Sequence, residues 1–208
     1  MSRNRLTLKD LDIGIERCSL QGFLYSDTAC GLSWSLDVVG KKHRFGDGHD
    51  LAPTFFSESL RIAVDDWTAF ENTKTAFDAA TSEDEDGGLP TLYLCSYSIL
   101  QRSEISFGKR EGSRFALEWR GVAEANFSEE YGTHMPFEIV CLVPFDGLEV
   151  RFHDAGGDFE AQARRIARAQ GLSDANLAFS GFKRFRDDPS DPDHRLIRTF
   201  FAARVTRS

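Results

Sequence analysis

Residues 32–38, LSWSLDV, alternate apolar and polar side chains at every position. In an extended chain successive side chains point to opposite sides, so the apolar residues share one side and the serines and the aspartate share the other. A period of two residues is typical of a β-strand with one face on a hydrophobic core and the other in water. The stretch therefore predicts a half-buried strand in a mainly antiparallel sheet.

The same alternation recurs in three other stretches: LRIAVDD (60–66), FALEWRGVAE (115–124) and LEVRFHD (148–154). In the last of them Glu149 and Arg151 fall between the apolar residues and are expected to face water. Each stretch predicts another strand with one buried face. Further strand-forming runs are LPTLYLCSYSILQ (89–101), ANLAFSGFKRF (175–185) and HRLIRTFFAARV (194–205).

Two stretches have the pattern of an amphipathic helix. TAFENTKTAFDAA (68–80) begins with Thr68 and Glu71 at the spacing of a capping box, and its phenylalanines share one side of a helix. DFEAQARRIARAQG (158–171) begins with Asp158, which suits the N-cap, and its arginines lie in the later half, where they complement the helix dipole. Both stretches are predicted to be helical.

The order of these elements is repeated along the chain. Trp34 and Trp119 are 85 residues apart, and Leu60 and Leu148 are 88 residues apart. In both places a tryptophan-bearing strand is followed by a proline-led apolar run, a second alternating strand, a predicted helix and a further strand run. A recurring order of this kind indicates an internal duplication of a β-β-β-α-β unit.

The predicted fold class is α+β, with a mainly antiparallel sheet and one helix of each half packed on the sheets. The first half would be residues 1–102 and the second half residues 103–208. Together they would form one compact body that spans residues 1–208. A chance likeness between two ordinary α+β halves is the alternative to duplication.

The composition limits the class of protein. The chain has 208 residues with 18 phenylalanines, enough for a large aromatic core, and no apolar run long enough to span a membrane. Its N-terminal stretch lacks the apolar segment of a secretory signal. The four cysteines form no Cys-x-x-Cys pair, which favours reduced, mostly buried thiols and a cytoplasmic location. The net charge of −8 argues against nucleic-acid binding and favours a basic partner.

KKHRFGDGHD (41–50) is a candidate metal or catalytic loop, since His43, Asp47, His49 and Asp50 have side chains that bind metal ions. Their spacing matches neither a zinc motif nor the frame of an EF-hand. The two glycines of the stretch adopt positive φ easily, as a turn between two strands requires. We interpret the loop as a connecting turn and keep a metal or catalytic role as the alternative.

His153 and Asp154 form a second candidate site, because they precede two glycines at a helix start where backbone N–H groups can hold an anion. The end of a strand and the start of a helix account for the same residues. The sequence contains no Gly-x-Gly-x-x-Gly or Walker phosphate loop and no Gly-x-Ser-x-Gly nucleophile elbow. No catalytic residue, resident metal or cofactor is therefore predicted.

These observations predict a soluble, cytoplasmic, bacterial-type protein with a non-enzymatic role in binding a macromolecule. An immunity- or inhibitor-like protein that covers a basic partner fits, and so does a subunit of a larger assembly; homo-oligomers are compatible, whereas nucleic acid and membranes are not expected as partners. The alternative is an enzyme or small-ligand-binding protein with a cleft between the two halves. Its first candidate residues are His43, Asp47, His49, His153 and Asp154.

Overall fold

The computed structural model describes residues 4–26, 31–45, 48–60, 62–80, 89–123, 134–186 and 195–204. The strands in these residues are β1 (Arg5–Leu8), β2 (Leu11–Ile13), β3 (Ile15–Tyr25), β4 (Leu32–Gly40), β5 (His43–Phe45), β6 (His49–Leu51), β7 (Thr54–Leu60), β8 (Lys74–Asp78), β9 (Thr91–Leu94), β10 (Ser96–Glu111), β11 (Arg114–Ala123), β12 (Met135–His153), β13 (Leu177–Arg186) and β14 (Arg195–Ala203). The helices are α1 (Phe159–Ala169) and a single-turn 3-10 helix (Trp67–Phe70). Within the described ranges, no helix has both the length and the apolar character needed to cross a membrane.

One sheet of 12 strands folds over on itself into two layers. Layer A consists of β2, β1, the first part of β12, β11, the second part of β10 and β8. Layer B consists of β13, β14, the second part of β12, β3, β4, β7, β9 and the first part of β10. The long strands β10 and β12 belong to both layers, and the pairing of β11 with β12 closes the sheet into a ring.

Aromatic side chains fill the space between the two layers. Phe55 on β7 contacts Phe137 on β12 and Trp119 on β11, with ring centroids 4.7 and 5.9 Å apart. All three are almost completely buried, and burial of one such side chain contributes roughly 1.5–3 kcal/mol. The strands predicted at 32–38 and 115–124 are confirmed as β4 and β11. Their alternating pattern brings the apolar side chains into the space between the layers.

The other strand predictions are partly confirmed. The runs at the end of the chain form β13 and β14, and LEVRFHD forms the end of β12. The strand predicted over 60–66 is wrong beyond Leu60, where β7 ends. The run 89–101 contains two strands, because Cys95 adopts a φ of 66° between β9 and β10. Cys95 is also exposed, contrary to the expectation of mostly buried thiols.

The 3-10 helix closes the core at a point where the two layers meet. Its Trp67 ring stacks on Phe145 of β12, with centroids 4.9 Å apart, and its Nε1 donates a hydrogen bond to the Asn176 carbonyl at 2.9 Å. Phe70 contacts Trp34 of layer B edge-on at 4.7 Å and also packs on rings of layer A. This turn therefore links both layers to the loop that follows α1.

The helix predicted over 68–80 is wrong. Asp66 rather than Thr68 caps the 3-10 turn, since its carboxylate accepts a hydrogen bond from the Thr68 N–H at 2.8 Å. Asn72 has a φ of 63°, which interrupts a right-handed helix, and Lys74–Asp78 then pair with β10 as β8. The β-branched threonines of this stretch suit a strand, and pairing along the edge of β10 outweighs the local helical pattern.

The α+β fold class with one helix in each half is wrong, because the described residues are mostly strand with a single α-helix. The internal duplication is wrong as well. The segment that should match α1 is a strand, and Trp34 and Trp119 lie in different layers. The predicted boundary between 1–102 and 103–208 lies inside β10. The likeness between the halves reflects the alternation that any half-buried strand shows.

The helix predicted at 158–171 is confirmed as α1. Asp158 is its N-cap and accepts a hydrogen bond from the Ala161 N–H at 3.0 Å. Arg164 and Arg168 both bind the carboxylate of Asp174 at 2.9 Å, and the hydrogen bond from Arg168 is the main reason that the pKa of Asp174 falls to about 2. The buried side of the helix consists of Phe159, Ala163 and Ala167.

Gly147 lies at the bulge where β12 passes from layer A to layer B. Its φ is 125°, and a Cβ there would lie 2.1 Å from the carbonyl oxygen of Phe201. We expect Gly147→Ala to lower the free energy of unfolding by about 2–3 kcal/mol, since backbone strain and overlap act together. Gly181 has a φ of 147° with no atom within 4 Å of a Cβ, so Gly181→Ala is the control with strain alone. If urea denaturation showed the same loss of unfolding free energy for both variants, a contribution from overlap with the Phe201 carbonyl would be contradicted.

Candidate functional site

One face of layer B points away from layer A, and we call it the outer face. Residues paired across neighbouring strands point to the same side of a sheet, as do residues two positions apart in one strand. The register places on this face Lys183 of β13, Arg198 of β14, Glu149 of β12, Phe23 of β3, Phe56 of β7 and Ile99 of β10. Helix α1 packs on the other side of β12, where Phe159 contacts Phe152.

One end of the outer face carries a group of aromatic and aliphatic side chains, which we call the aromatic patch: half-buried Phe56 and exposed Tyr93, Tyr97 and Ile99. Tyr93, Tyr97 and Ile99 are 41, 74 and 52 % exposed. The ring of Tyr97 lies 4.9 Å from that of Tyr93 and 6.0 Å from that of Phe56, so the three rings form one contiguous cluster. Contiguous apolar surface of this kind is typical of a site that binds another molecule.

The other end of the outer face carries a buried carboxylate held by two arginines, which we call the arginine cluster: Glu149, Arg151 and Arg198. The Glu149 side chain is 1 % exposed, whereas those of Arg151 and Arg198 are 25 and 35 % exposed. Arg198 donates from Nε and Nη2 to the two carboxylate oxygens, each at 2.5 Å. Arg151 donates from its Nε to Oε1 of the same carboxylate.

Aromatic rings hold both guanidinium groups of the arginine cluster. The rings are Phe23 and Tyr25 for Arg151 and Phe185 and Phe200 for Arg198, at guanidinium-to-centroid distances between 4.8 and 5.9 Å. Each such contact contributes roughly 0.5–1 kcal/mol at an exposed site. Lys183 lies over Phe200 at 5.9 Å and adds a further positive charge beside the cluster.

The arginine cluster has a net positive charge and unused hydrogen-bond donors. Burial by itself would raise the pKa of Glu149, but hydrogen bonds from Arg198 and Arg151 outweigh burial and lower the pKa. One ionised carboxylate therefore faces two guanidinium groups. Among the described residues, both Nη groups of Arg151 and Nη1 of Arg198 have no acceptor. Guanidinium donors held in this way suit a carboxylate or another oxyanion.

The residues predicted at KKHRFGDGHD lie on the hairpin of β5 and β6. His43 pairs with Leu51 and Phe45 pairs with His49, and the Gly48 N–H donates a hydrogen bond to the Phe45 carbonyl at 3.1 Å. His43 contacts the Phe45 ring edge-on at 5.4 Å, and Asp47 lies outside the described residues. Over the part of the chain that is described, no group of three or more His, Cys, Asp or Glu side chains is placed to hold a metal ion. The metal or catalytic alternative for this loop stays a prediction.

His153 and Asp154, the second predicted pair, lie in different surroundings. His153 lies at the exposed end of β12, two residues beyond Arg151 on the outer face. Asp154 forms an ion pair with Arg184 at 3.2 Å and accepts a hydrogen bond from the Gly156 N–H at 3.0 Å. Asp154 is therefore engaged in holding the turn before α1. An anion site at this turn stays a prediction.

A shallow depression of about 540 Å³ lies on layer A, over β8, β10 and β11. Its rim is formed by charged side chains that pair with their neighbours: Arg102 lies 3.3 Å from Asp78, and Glu104 lies 2.7 Å from Lys74. Exposed ion pairs of this kind are typical of a solvated sheet face and contribute little to stability. We therefore place the candidate site on the outer face of layer B.

Sequence reasoning missed both clusters of the outer face. LEVRFHD predicted that Glu149 and Arg151 face water, yet Glu149 is buried beneath arginine side chains. Two features of the sequence could have indicated the arginine cluster. Glu149 and Arg151 lie two positions apart in one predicted strand, and Arg198 lies beside phenylalanines in another. Only the register between β12 and β14 shows that these residues meet.

Comparison of the chain with protein-family models, curated proteins and solved structures finds no match.

Proposed function

We propose that this chain is a non-enzymatic protein-binding module, which recognises a partner protein through the outer face of layer B. The observation that carries the proposal is the aromatic patch, where Tyr93, Tyr97 and Ile99 remain substantially exposed on strands whose other side is buried. Tyrosine and other aromatic residues are enriched at protein interfaces, because each ring buries a large area with few rotatable bonds. A rigid sheet presents them in one fixed arrangement.

The arginine cluster specifies the chemistry of the partner. Two guanidinium groups with unused donors favour carboxylates on the contacting segment, and the aromatic patch favours apolar side chains beside them. Strands in one sheet lie about 4.8 Å apart, and five steps separate β12 from β10, so the two clusters are roughly 24 Å apart across the face. One protein segment or surface of ordinary size reaches both. The basic partner suggested by the net charge of −8 stays a prediction for the remaining surface.

A photo-cross-linker placed at residue 97 tests the proposal in native extract. We expect one discrete cross-linked partner, which excess unlabelled chain displaces and which Tyr97→Ser/Ile99→Ser chain does not displace. Both side chains are more than half exposed, so this double variant should keep the stability of the native chain within about 0.5 kcal/mol per site. Arg151→Gln/Arg198→Gln chain should compete at least tenfold less well, and the capture of the partner should weaken as salt is raised.

Phe182 provides the matched control position. It is aromatic and 47 % exposed, but it packs against Phe159 of α1 on the other side of layer B. The same cross-linker at residue 182 should not capture the partner. Equal capture from both positions would contradict recognition through the outer face. A cross-link only to a second copy of this chain would replace the proposal with self-association.

A further inference from the structure

Cys18 and Cys141 bring two thiols together in the fold, although 123 positions separate them in the sequence. Strands β3 and β12 run parallel and adjacent, with Leu20 paired to Phe145. The Cys18 thiol donates a hydrogen bond at 3.6 Å to the carbonyl of Leu142, the residue that follows Cys141 in β12. Cys141 lies in the hydrophobic core, and the side chain of Cys18 packs against the same core. Both cysteines are reduced in this structure.

The two thiols differ in exposure and acidity. Cys18 is partly exposed, whereas Cys141 is buried in the core. The hydrogen bond with Cys141 is the main reason that the pKa of Cys18 is lowered; Arg114 also lowers it, and burial and Asp146 oppose the change. The same hydrogen bond, together with burial, raises the pKa of Cys141. Cys18 is thus the thiol that an external reagent meets first and the one that ionises more readily.

We propose that Cys18 and Cys141 form a redox-active dithiol, which a low-molecular-weight disulfide oxidises to an intramolecular disulfide. Cys18 is the attacking residue and Cys141 is the resolving residue. This site is independent of the outer face, since both side chains belong to the seam between β3 and β12 and not to the aromatic patch or the arginine cluster.

The reaction balances with oxidised glutathione as the oxidant. The Cys18 thiolate attacks one sulfur of glutathione disulfide, a mixed disulfide forms, and one glutathione thiolate leaves and takes up the proton that Cys18 released. The sulfur of Cys141 then attacks the sulfur of Cys18 in the mixed disulfide. The second glutathione leaves and receives the proton of Cys141. Two protein thiols are oxidised, and one glutathione disulfide is reduced to two thiols.

The test uses the full chain in a Cys30→Ser/Cys95→Ser background, so that only the two proposed thiols remain. The folded protein is incubated with oxidised glutathione, the remaining thiols are alkylated, and the chain is digested without reduction for peptide mapping by mass spectrometry. We expect the peptide of Cys18 linked to that of Cys141 as the main product, with no glutathione retained. In the native sequence, exposed Cys95 should retain glutathione without forming this link.

Single variants separate the roles of the two thiols. With Cys141→Ala, Cys18 should keep one bound glutathione, because the resolving thiol is missing. With Cys18→Ser, Cys141 should stay a free thiol as long as circular dichroism shows a folded chain. The proposal is overturned if both thiols stay reduced in the folded chain, if each keeps its own glutathione, or if the link forms only in denaturant.

Discussion

Trp67→Ala is expected to lower the free energy of unfolding by roughly 4 kcal/mol, within the range for a buried aromatic residue replaced by alanine. Trp67 is 1 % exposed and stacks on Phe145 at 4.9 Å. The substitution removes this contact, leaves a cavity beside the meeting point of the two layers and leaves the Asn176 carbonyl without its indole donor. Urea denaturation followed by circular dichroism measures the loss.

Trp67→Phe is the control that separates packing from hydrogen bonding. It keeps an aromatic ring near Phe145 but removes the N–H that binds Asn176. The Asn176 carbonyl still accepts a hydrogen bond from the Arg204 N–H at 2.8 Å, so the loss should be smaller, about 0.5–1.5 kcal/mol for one hydrogen bond. If Trp67→Ala were no more destabilising than Trp67→Phe, the 3-10 turn would not hold the layers together as described.

Glu149→Gln is expected to lower the free energy of unfolding by about 3 kcal/mol, since removal of one member of a buried ion pair leaves the other charge uncompensated. Glutamine has the shape of glutamate but not its charge, so Arg151 and Arg198 would face each other without a counterion. Glu138→Gln is the matched control on layer A, because Glu138 also binds two arginines, Arg5 and Arg120, but its side chain is 25 % exposed rather than 1 %. Glu138→Gln should lower the free energy of unfolding by less than about 1 kcal/mol. A similar loss for both variants would contradict the role of burial.

The pH dependence of stability provides a second measurement on Glu149. Its pKa is lower in the folded chain than in the unfolded chain, so its contribution is present above the unfolded value near 4.5 and is lost as the pH falls through the folded value. Glu149→Gln lacks this contribution and should show a flatter loss of stability below about pH 4.5. If stability fell equally steeply with pH in the native chain and in Glu149→Gln, the lowered pKa of Glu149 would be contradicted.

The strands β4 and β11 and the helix α1 were predictable because each carries its signal locally. Alternation in LSWSLDV needs only a core on one side, and the N-cap of α1 is one residue, Asp158, with a short-range hydrogen bond. The prediction of a helix over 68–80 was wrong because the local pattern of that stretch did not decide its structure. Its apolar spacing suited a helix and a strand about equally, and the edge of β10 decided between them.

The candidate site was not predictable at the level of residues. His43, His49 and Asp154 stood out because their side chains can perform chemistry, whereas the clusters of the outer face consist of residues that are common in any strand. Glu149 and Arg198 meet only through the register of β12 and β14, and Tyr97 is exposed only because no partner strand or helix lies over it within the described residues.

The sequence by itself determined that segments such as β4 and β11 are extended, which side of these strands faces the core and where α1 begins, because these depend on residues a few positions apart. Only the tertiary structure decided that one sheet closes on itself, that Glu149 is buried and that the Cys18 thiol contacts the strand that carries Cys141. Such contacts join distant residues, and which of them form depends on strand pairing across the whole chain rather than on any local preference.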